Sequence, residues 1–289
     1  MSSAPAGSDP EPSDPFGRVL LKLSGEAFCR PGSSGIDPDE LALIAAEIKD
    51  AHQTGTQLAV VVGGGNFVRG ASLAKAAHIH QATADYMGML ATVMNGLALK
   101  EALLHIGVES RVLSAIEIRA VAEPFIRGRA LRHLEKGRVV ILVAGTGNPF
   151  CTTDTCAALR ATELECSLLM KATKVDGVYT ADPHKDPTAT RYAYLSFTEA
   201  IQKNLGVMDM TAITMCREQD IPVLVFEFKT PGNIRRAIEG EDIGTLVANE
   251  PTEMERARIG YNGTEAIPAA EMRNWVRQSR RVRHVPKAP

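Results

Sequence analysis

Aromatic residues make up only 5% of the 289-residue chain, and Trp275 is its single tryptophan. That scarcity argues against a platform for single-stranded nucleic acid, which needs several exposed rings along a groove. A formal net charge of −2 supplies no broad field to hold nucleic acid or an anionic membrane. The five cysteines (Cys29, Cys151, Cys156, Cys166, Cys216) are odd in number and contain no Cys-x-x-Cys pair, so reduced thiols are expected. No uninterrupted apolar run approaches the roughly 20 residues of a membrane span. No basic segment followed by an apolar one opens the chain, and the expected location is cytoplasmic. Three familiar nucleotide signatures are also absent. There is no Gly-Lys pair, which excludes a Walker loop. Gly63 and Gly65 begin a dinucleotide fingerprint, but Val68 stands where its third glycine belongs. The His-Arg-Asp and Asp-Phe-Gly elements of protein kinases are missing.

What is present is the composition of an ordinary globular protein, 45% apolar and 23% charged. Residues 1–17 are rich in Ser, Pro, Ala, Gly and Asp, and are expected to be disordered. From 18 to 247, apolar β-branched runs alternate with helical patterns. Strands are predicted at 18–23, 57–62, 111–113, 139–143, 222–226 and 244–247, with a further one carrying Lys171. Helices are predicted over 37–53, 81–106, 196–205, 208–219 and 233–239. Such alternation predicts an α/β fold with a mostly parallel sheet and right-handed crossovers. Residues 248–289 break the rhythm. From Val276 onward this basic extension carries Arg277, Arg280, Arg281, Arg283 and Lys287 without an acid, and a solvated or partly helical tail is expected.

The chain is organised around residues 142–182. The apolar run 139–143 empties into Ala144-Gly145-Thr146-Gly147-Asn148-Pro149-Phe150, where Gly145 and Gly147 free the backbone to approach a ligand. Beyond Cys151, Thr152, Thr153 and Asp154 together look like a helix start. Amides and hydroxyls at a helix N-terminus suit a phosphate-bearing ligand. Two other places point to the same sheet edge. Lys22 sits within a buried-type strand just before Ser24-Gly25, a costly position unless an anion meets it. The run 57–62 ends in Gly63-Gly64-Gly65-Asn66, with Arg69 close behind. On the long helix, Met87, Leu90, Met94, Leu97 and Leu104 form a stripe expected to be core or subunit contact, and Asp85 reads as a surface charge in its first turns. Two phosphate-capable loops with cations between them suit phosphoryl transfer from one bound molecule to another.

Long ordered motifs make the chain recognisable: LLKLSGEA, VVVGGGNFVRG, DYMGMLATVMNGLAL, AGTGNPFCTTD, LLMKATKVDGVYTADPHKDPTA and GVMDMTA. Over residues 18–247 it resembles the bacterial uridylate kinases of the amino-acid-kinase superfamily. The resemblance implies a single-domain three-layer αβα sandwich, a homohexamer, and transfer of the γ-phosphoryl of Mg-ATP to UMP. It implies catalytic roles for Lys22, Arg69 and Asp154. ATP would be bound by Lys22, Leu23, Ser24, Gly25, Gly65, Arg69, Thr173, Tyr179 and Asp182, with Tyr179 near the adenine. UMP would be bound by Gly64, Asp85, Thr146, Gly147, Asn148, Pro149, Phe150, Cys151, Thr152 and Thr153, with Asp85 on the ribose hydroxyls. Mg²⁺ would be held mainly by the ATP phosphates rather than by protein ligands. An allosteric UTP or GTP belongs to the same pattern. Lys100 and Leu104 stand where some GTP-activated members have an arginine and a histidine, whereas Arg111 matches another basic position there. An acylphosphate-forming enzyme of the same fold, or a non-catalytic nucleotide-binding protein, are the competing readings.

Overall fold

Strand β1 (Arg18–Leu23) is buried along its whole length, as expected of a strand covered on both faces. It is the middle of a nine-stranded sheet in a computed structural model that describes residues 17–68, 78–183, 185–261 and 267–281. On one side it pairs with β2 (Gln57–Val62), followed outward by β5 (Val139–Val143), β3 (Ser110–Ser114) and β4 (Glu123–Pro124). On the other side come β6 (Leu168–Thr173), β8 (Val223–Glu227), β9 (Thr245–Ala248) and β7 (Tyr194–Ser196). All neighbours are parallel except β8 and β9, which run antiparallel. The mostly parallel sheet expected from the sequence is therefore present. The two edge strands β4 and β7 went unpredicted because two or three residues carry no readable alternation.

Alternate residues of β1 feed two cores, which makes the fold three layers. Val19, Leu21 and Leu23 join one core with Ile44 and Ile48 of α1 (Pro38–His52), Val93 and Leu99 of α2 (Gln81–His105) and Ile234 of α7 (Asn233–Ile238). Leu20 joins the other, with Leu134 of α3 (Arg127–Glu135), Ala157 and Ala161 of α4 (Thr153–Glu163), Phe197 of α5 (Phe197–Gln202) and Ile213 of α6 (Met210–Glu218). Helix α1 starts where the sequence says it must. Asp37 caps the amides of Asp39 and Glu40, Pro38 occupies the first turn, and acidic residues follow.

Helix α2 corrects one expectation. Met87, Leu90, Met94 and Leu104 are exposed, and the face against the sheet is made by Ala84, Met89, Ala91, Val93, Leu99 and Leu103. Most of the apolar stripe is thus an outer surface, while Leu97 packs against the core. By length and composition this helix could cross a membrane, but 44% of the qualifying window is buried inside the protein, as in a core helix.

The C-terminal segment also differs from a solvated tail. A capping box of Thr252 and Glu255 starts α8 (Glu253–Arg258). Helix α9 (Ala269–Arg281) then returns to the sheet. Met272 and Val276 are 2% and 3% exposed, and burying side chains of this size stabilises by roughly 1.5–3 kcal/mol each.

Candidate functional site

Lys22 and Lys171 are register partners on adjacent parallel strands, so their side chains emerge together on the α4 face. Helix α4 meets them with its N-terminus. Thr152 caps it, accepting from the amides of Asp154 and Thr155 at 3.1 Å each, which fixes Asp154 in the first turn. Its Oδ1 lies 2.8 Å from Lys22 Nζ and its Oδ2 2.8 Å from Lys171 Nζ. The Lys22 contact is an ion pair off the hydrogen-bond line. Lys171 Nζ also donates to the Val207 carbonyl at 2.6 Å. Burial pushes the Asp154 carboxyl up, but the two ammonium groups of Lys22 and Lys171 outweigh it and hold it below the usual range. Two lysines against one carboxylate, beside a helix N-terminus, leave a surplus of positive potential.

The glycine loops interlock beside this cluster. A Cβ on Gly25 would fall 2.3 Å from Gly65 N, and one on Gly64 2.6 Å from Gly88 O. A Cβ on Gly65 would meet nothing within 4 Å, so Gly65 opens to the side where a ligand can lie. The loop is held from beneath by a buried amide pair. Asn95 Nδ2 donates to Gly63 O at 2.8 Å and to Asn66 Oδ1 at 2.7 Å, and Asn66 Nδ2 donates back to Asn95 Oδ1 at 2.9 Å and to Gly35 O at 2.7 Å. Asn95→Ala would strand the buried Gly63 carbonyl and the Asn66 side-chain amide on this loop, and chemical denaturation is expected to register a loss of about 2–4 kcal/mol.

The 144–153 loop closes a cavity of about 190 Å³ lined by Gly64, Gly65, Asp85, Thr146, Cys151, Thr152 and Thr153 among others. Ala144 and Phe150 flank the loop with φ of 62° and 65°, left-handed conformations that cost non-glycine residues energy and gather at ligand sites. Asp85 reaches across: its Oδ2 accepts from the Phe150 amide at 2.9 Å, and its Oδ1 accepts from Gln81 Nε2 at 2.7 Å. It is a clamp on the loop, more than the surface charge its position in the helix implied. Cys151 is an exposed thiol. Burial pushes the thiols of Cys156, Cys166 and Cys216 up to about 12. Thiolates are the reactive form, so a disulfide reagent at mild alkaline pH is expected to label Cys151 well before those three, as peptide mapping would record.

Of the sequence-derived candidates, Lys22 and Asp154 meet directly, and Ser24, Gly25, Gly64, Gly65, Asp85 and residues 146–153 share the same sheet edge. Leu23 is a core residue of β1. Arg69 lies outside the described residues. Thr173 ends β6, its hydroxyl donating to Val175 O at 2.6 Å. Tyr179 and Asp182 lie beyond it, where the Tyr179 hydroxyl donates to Asp176 at 2.8 Å. Lys174 turns away to pair with Glu26 at 2.7 Å. Two residues were missed. Asp209 accepts from Thr152 and Thr155 hydroxyls while capping α6 through the Ala212 amide, and its cap position before Met210 was a readable signal. Asn95 was readable too, as an amide within an otherwise apolar helical run.

Residues 17–227 match the amino acid kinase family. Among solved structures, the chain is similar to the UMP kinase of Bacillus anthracis, with 38% identity and a TM-score of 0.80 over 82% of this chain and 98% of that one. It is similar to the UMP kinase of Ureaplasma parvum, with 39% identity and a TM-score of 0.76 over 80% and 98% of the two chains. The uridylate kinase of Archaeoglobus fulgidus matches at 30% identity, with a TM-score of 0.62 over 80% and 99%. With a family match over residues 17–227 and nearly complete coverage of those solved structures, the chain belongs to the amino acid kinase family.

Proposed function

We propose that the chain is a uridylate kinase, transferring the γ-phosphoryl of Mg-ATP to UMP to give UDP and ADP in pyrimidine nucleotide synthesis. The observation that carries this reading is the Lys22–Asp154–Lys171 cluster set against the cavity that Gly65, Asp85 and Thr152 line. An oxygen of the UMP phosphate attacks the γ-phosphorus as the bond to the β-phosphate oxygen breaks. A phosphate monoester is largely dianionic at neutral pH, so no side chain has to remove a proton. The protein's part is to align two anions and neutralise the charge between them.

In this reading Lys22, Ser24 and Gly25 hold the transferring phosphates, and Gly64, Gly65 and Arg69 line the junction of the two nucleotides. Asp154 keeps Lys22 and Lys171 aimed at that junction. Thr146 and residues 147–153 receive UMP, whose ribose hydroxyls take up Asp85 in place of its present bonds to Phe150 and Gln81. Thr173, Tyr179 and Asp182 receive ATP. Among the described residues no group of three or more acidic, histidine or cysteine side chains is placed to hold a metal, and both Asp154 oxygens face lysines. In this reading magnesium arrives as part of the Mg-ATP substrate.

The exposed stripe of Tyr86, Met87, Leu90, Met94 and Leu104 on α2 is the surface we assign to self-association in a homohexamer. A cavity of about 490 Å³ lined by Lys100, Arg111 and Arg119 offers cations to a triphosphate effector such as UTP or GTP. A cytoplasmic location is part of this reading. The test is ADP release with UMP, CMP, dTMP and acetylglutamate offered separately. Turnover confined largely to UMP is expected, whereas turnover with acetylglutamate alone would move the chain to the acylphosphate-forming branch.

A further inference from the structure

Helix α9 lies outside the matched residues 17–227, yet it drives a guanidinium into the sheet. Arg273 is 5% exposed, a costly place for a charge that does not deprotonate unless its donors find partners. Its Nη1 donates to Ile243 O at 3.1 Å, and its Nη2 to Ala193 O and Gly244 O at 2.8 Å each. Its Nε lies 2.9 Å from Asp242 Oδ1, again as an ion pair off the hydrogen-bond line.

The Gly244 carbonyl is shared, because Arg191 Nη1 donates to it at 2.6 Å. Arg191 continues to Asp176, with Nε 3.4 Å from Oδ2, and Asp176 Oδ1 accepts from the Tyr179 hydroxyl. The same turn is pressed onto β9. Val178 N donates to Thr245 Oγ1 at 2.9 Å, and a Cβ at Gly177 would fall 2.6 Å from that oxygen and 2.8 Å from Arg191 Cδ. An apolar residue at 273 would bury with less desolvation than a guanidinium. What the guanidinium adds is direction: three carbonyls at the ends of β7 and β9 are fixed by one side chain of α9.

We propose that Arg273 is a positioning residue for ATP. Through Gly244 and Arg191 it fixes the 176–179 turn, and with it the Tyr179 ring, in the arrangement that receives the adenine. The proposal rests on the reading of Tyr179 as an adenine contact. Without Arg273 the Gly244 carbonyl keeps Arg191 alone, and the link from Arg191 through Asp176 to Tyr179 loosens. The UMP side hangs instead on α2 and α4, across β1, and is untouched.

Calorimetric titration of the full chain with ATP and, separately, with UMP tests this. Arg273→Ala is expected to weaken ATP binding about 5-fold while leaving UMP binding unchanged. Arg273→Lys, whose compact ammonium cannot bridge the same carbonyls, is expected to fall between that variant and the wild type. Unchanged ATP binding in folded Arg273→Ala, or an equal loss for UMP, would overturn the proposal. Should Arg273→Ala fail to fold, wild-type ATP affinity in Arg273→Lys overturns it instead. A wild type that binds ATP but does not phosphorylate UMP defeats the acceptor reading and leaves this titration valid.

Discussion

Replacing Lys22 by alanine is expected to lower kcat by about a thousandfold, the effect of removing a preorganised charge from the developing transition state. The accompanying loss of stability is expected to be small, and the reason is in the geometry. Asp154 keeps Lys171 at 2.8 Å when Lys22 is gone, so no buried carboxylate is orphaned. The deleted side chain was itself 11% exposed, and its ammonium bore a desolvation penalty that the variant no longer carries. Steady-state kinetics and urea denaturation on the same preparation separate the two quantities. A variant that loses activity only in proportion to its loss of folding would remove Lys22 from the transfer step.

Asp154→Ala is expected to behave in the opposite way, with a stability loss of about 3–5 kcal/mol at neutral pH, because two buried ammonium groups lose their common partner. The pH dependence carries a sign. The folded-state carboxyl of Asp154 lies below its ordinary value of 3.8, so its contribution is fully present above that value and is lost as pH falls through the lower, folded one. The difference in unfolding free energy between wild type and Asp154→Ala should therefore stay level from neutral pH down to about the ordinary carboxyl range and close below it. A difference that does not change with pH would mean that the carboxylate charge is not what steadies the lysines.

Much of this arrangement was legible in the sequence because its signals are local. The runs at 18–23, 57–62 and 139–143 coincide with β1, β2 and β5, since buried parallel strands are continuous and β-branched. Thr152 was readable as a cap, and Lys22 as a buried cation in search of an anion. What was not legible depends on pairing across long separations. That Lys171 stands beside Lys22 follows from the register of β1 against β6, 149 residues apart in the case of Lys22 and Lys171. The outward turn of the α2 stripe could not be read either, because that helix is apolar on both faces and the sequence does not say which one meets the sheet. The docking of α9 was hidden by its composition: an arginine-rich segment reads as solvated, and only the carbonyls of Ala193, Ile243 and Gly244 reveal why Arg273 is inside.

The central claim is tested most directly by following labelled phosphate from γ-labelled ATP in the presence of UMP and the purified chain. The label is expected in the terminal phosphate of UDP, with transfer nearly abolished in Lys22→Ala and unlabelled UDP absent. Label appearing as inorganic phosphate without UDP, or equal transfer by the wild type and Lys22→Ala, would contradict the account.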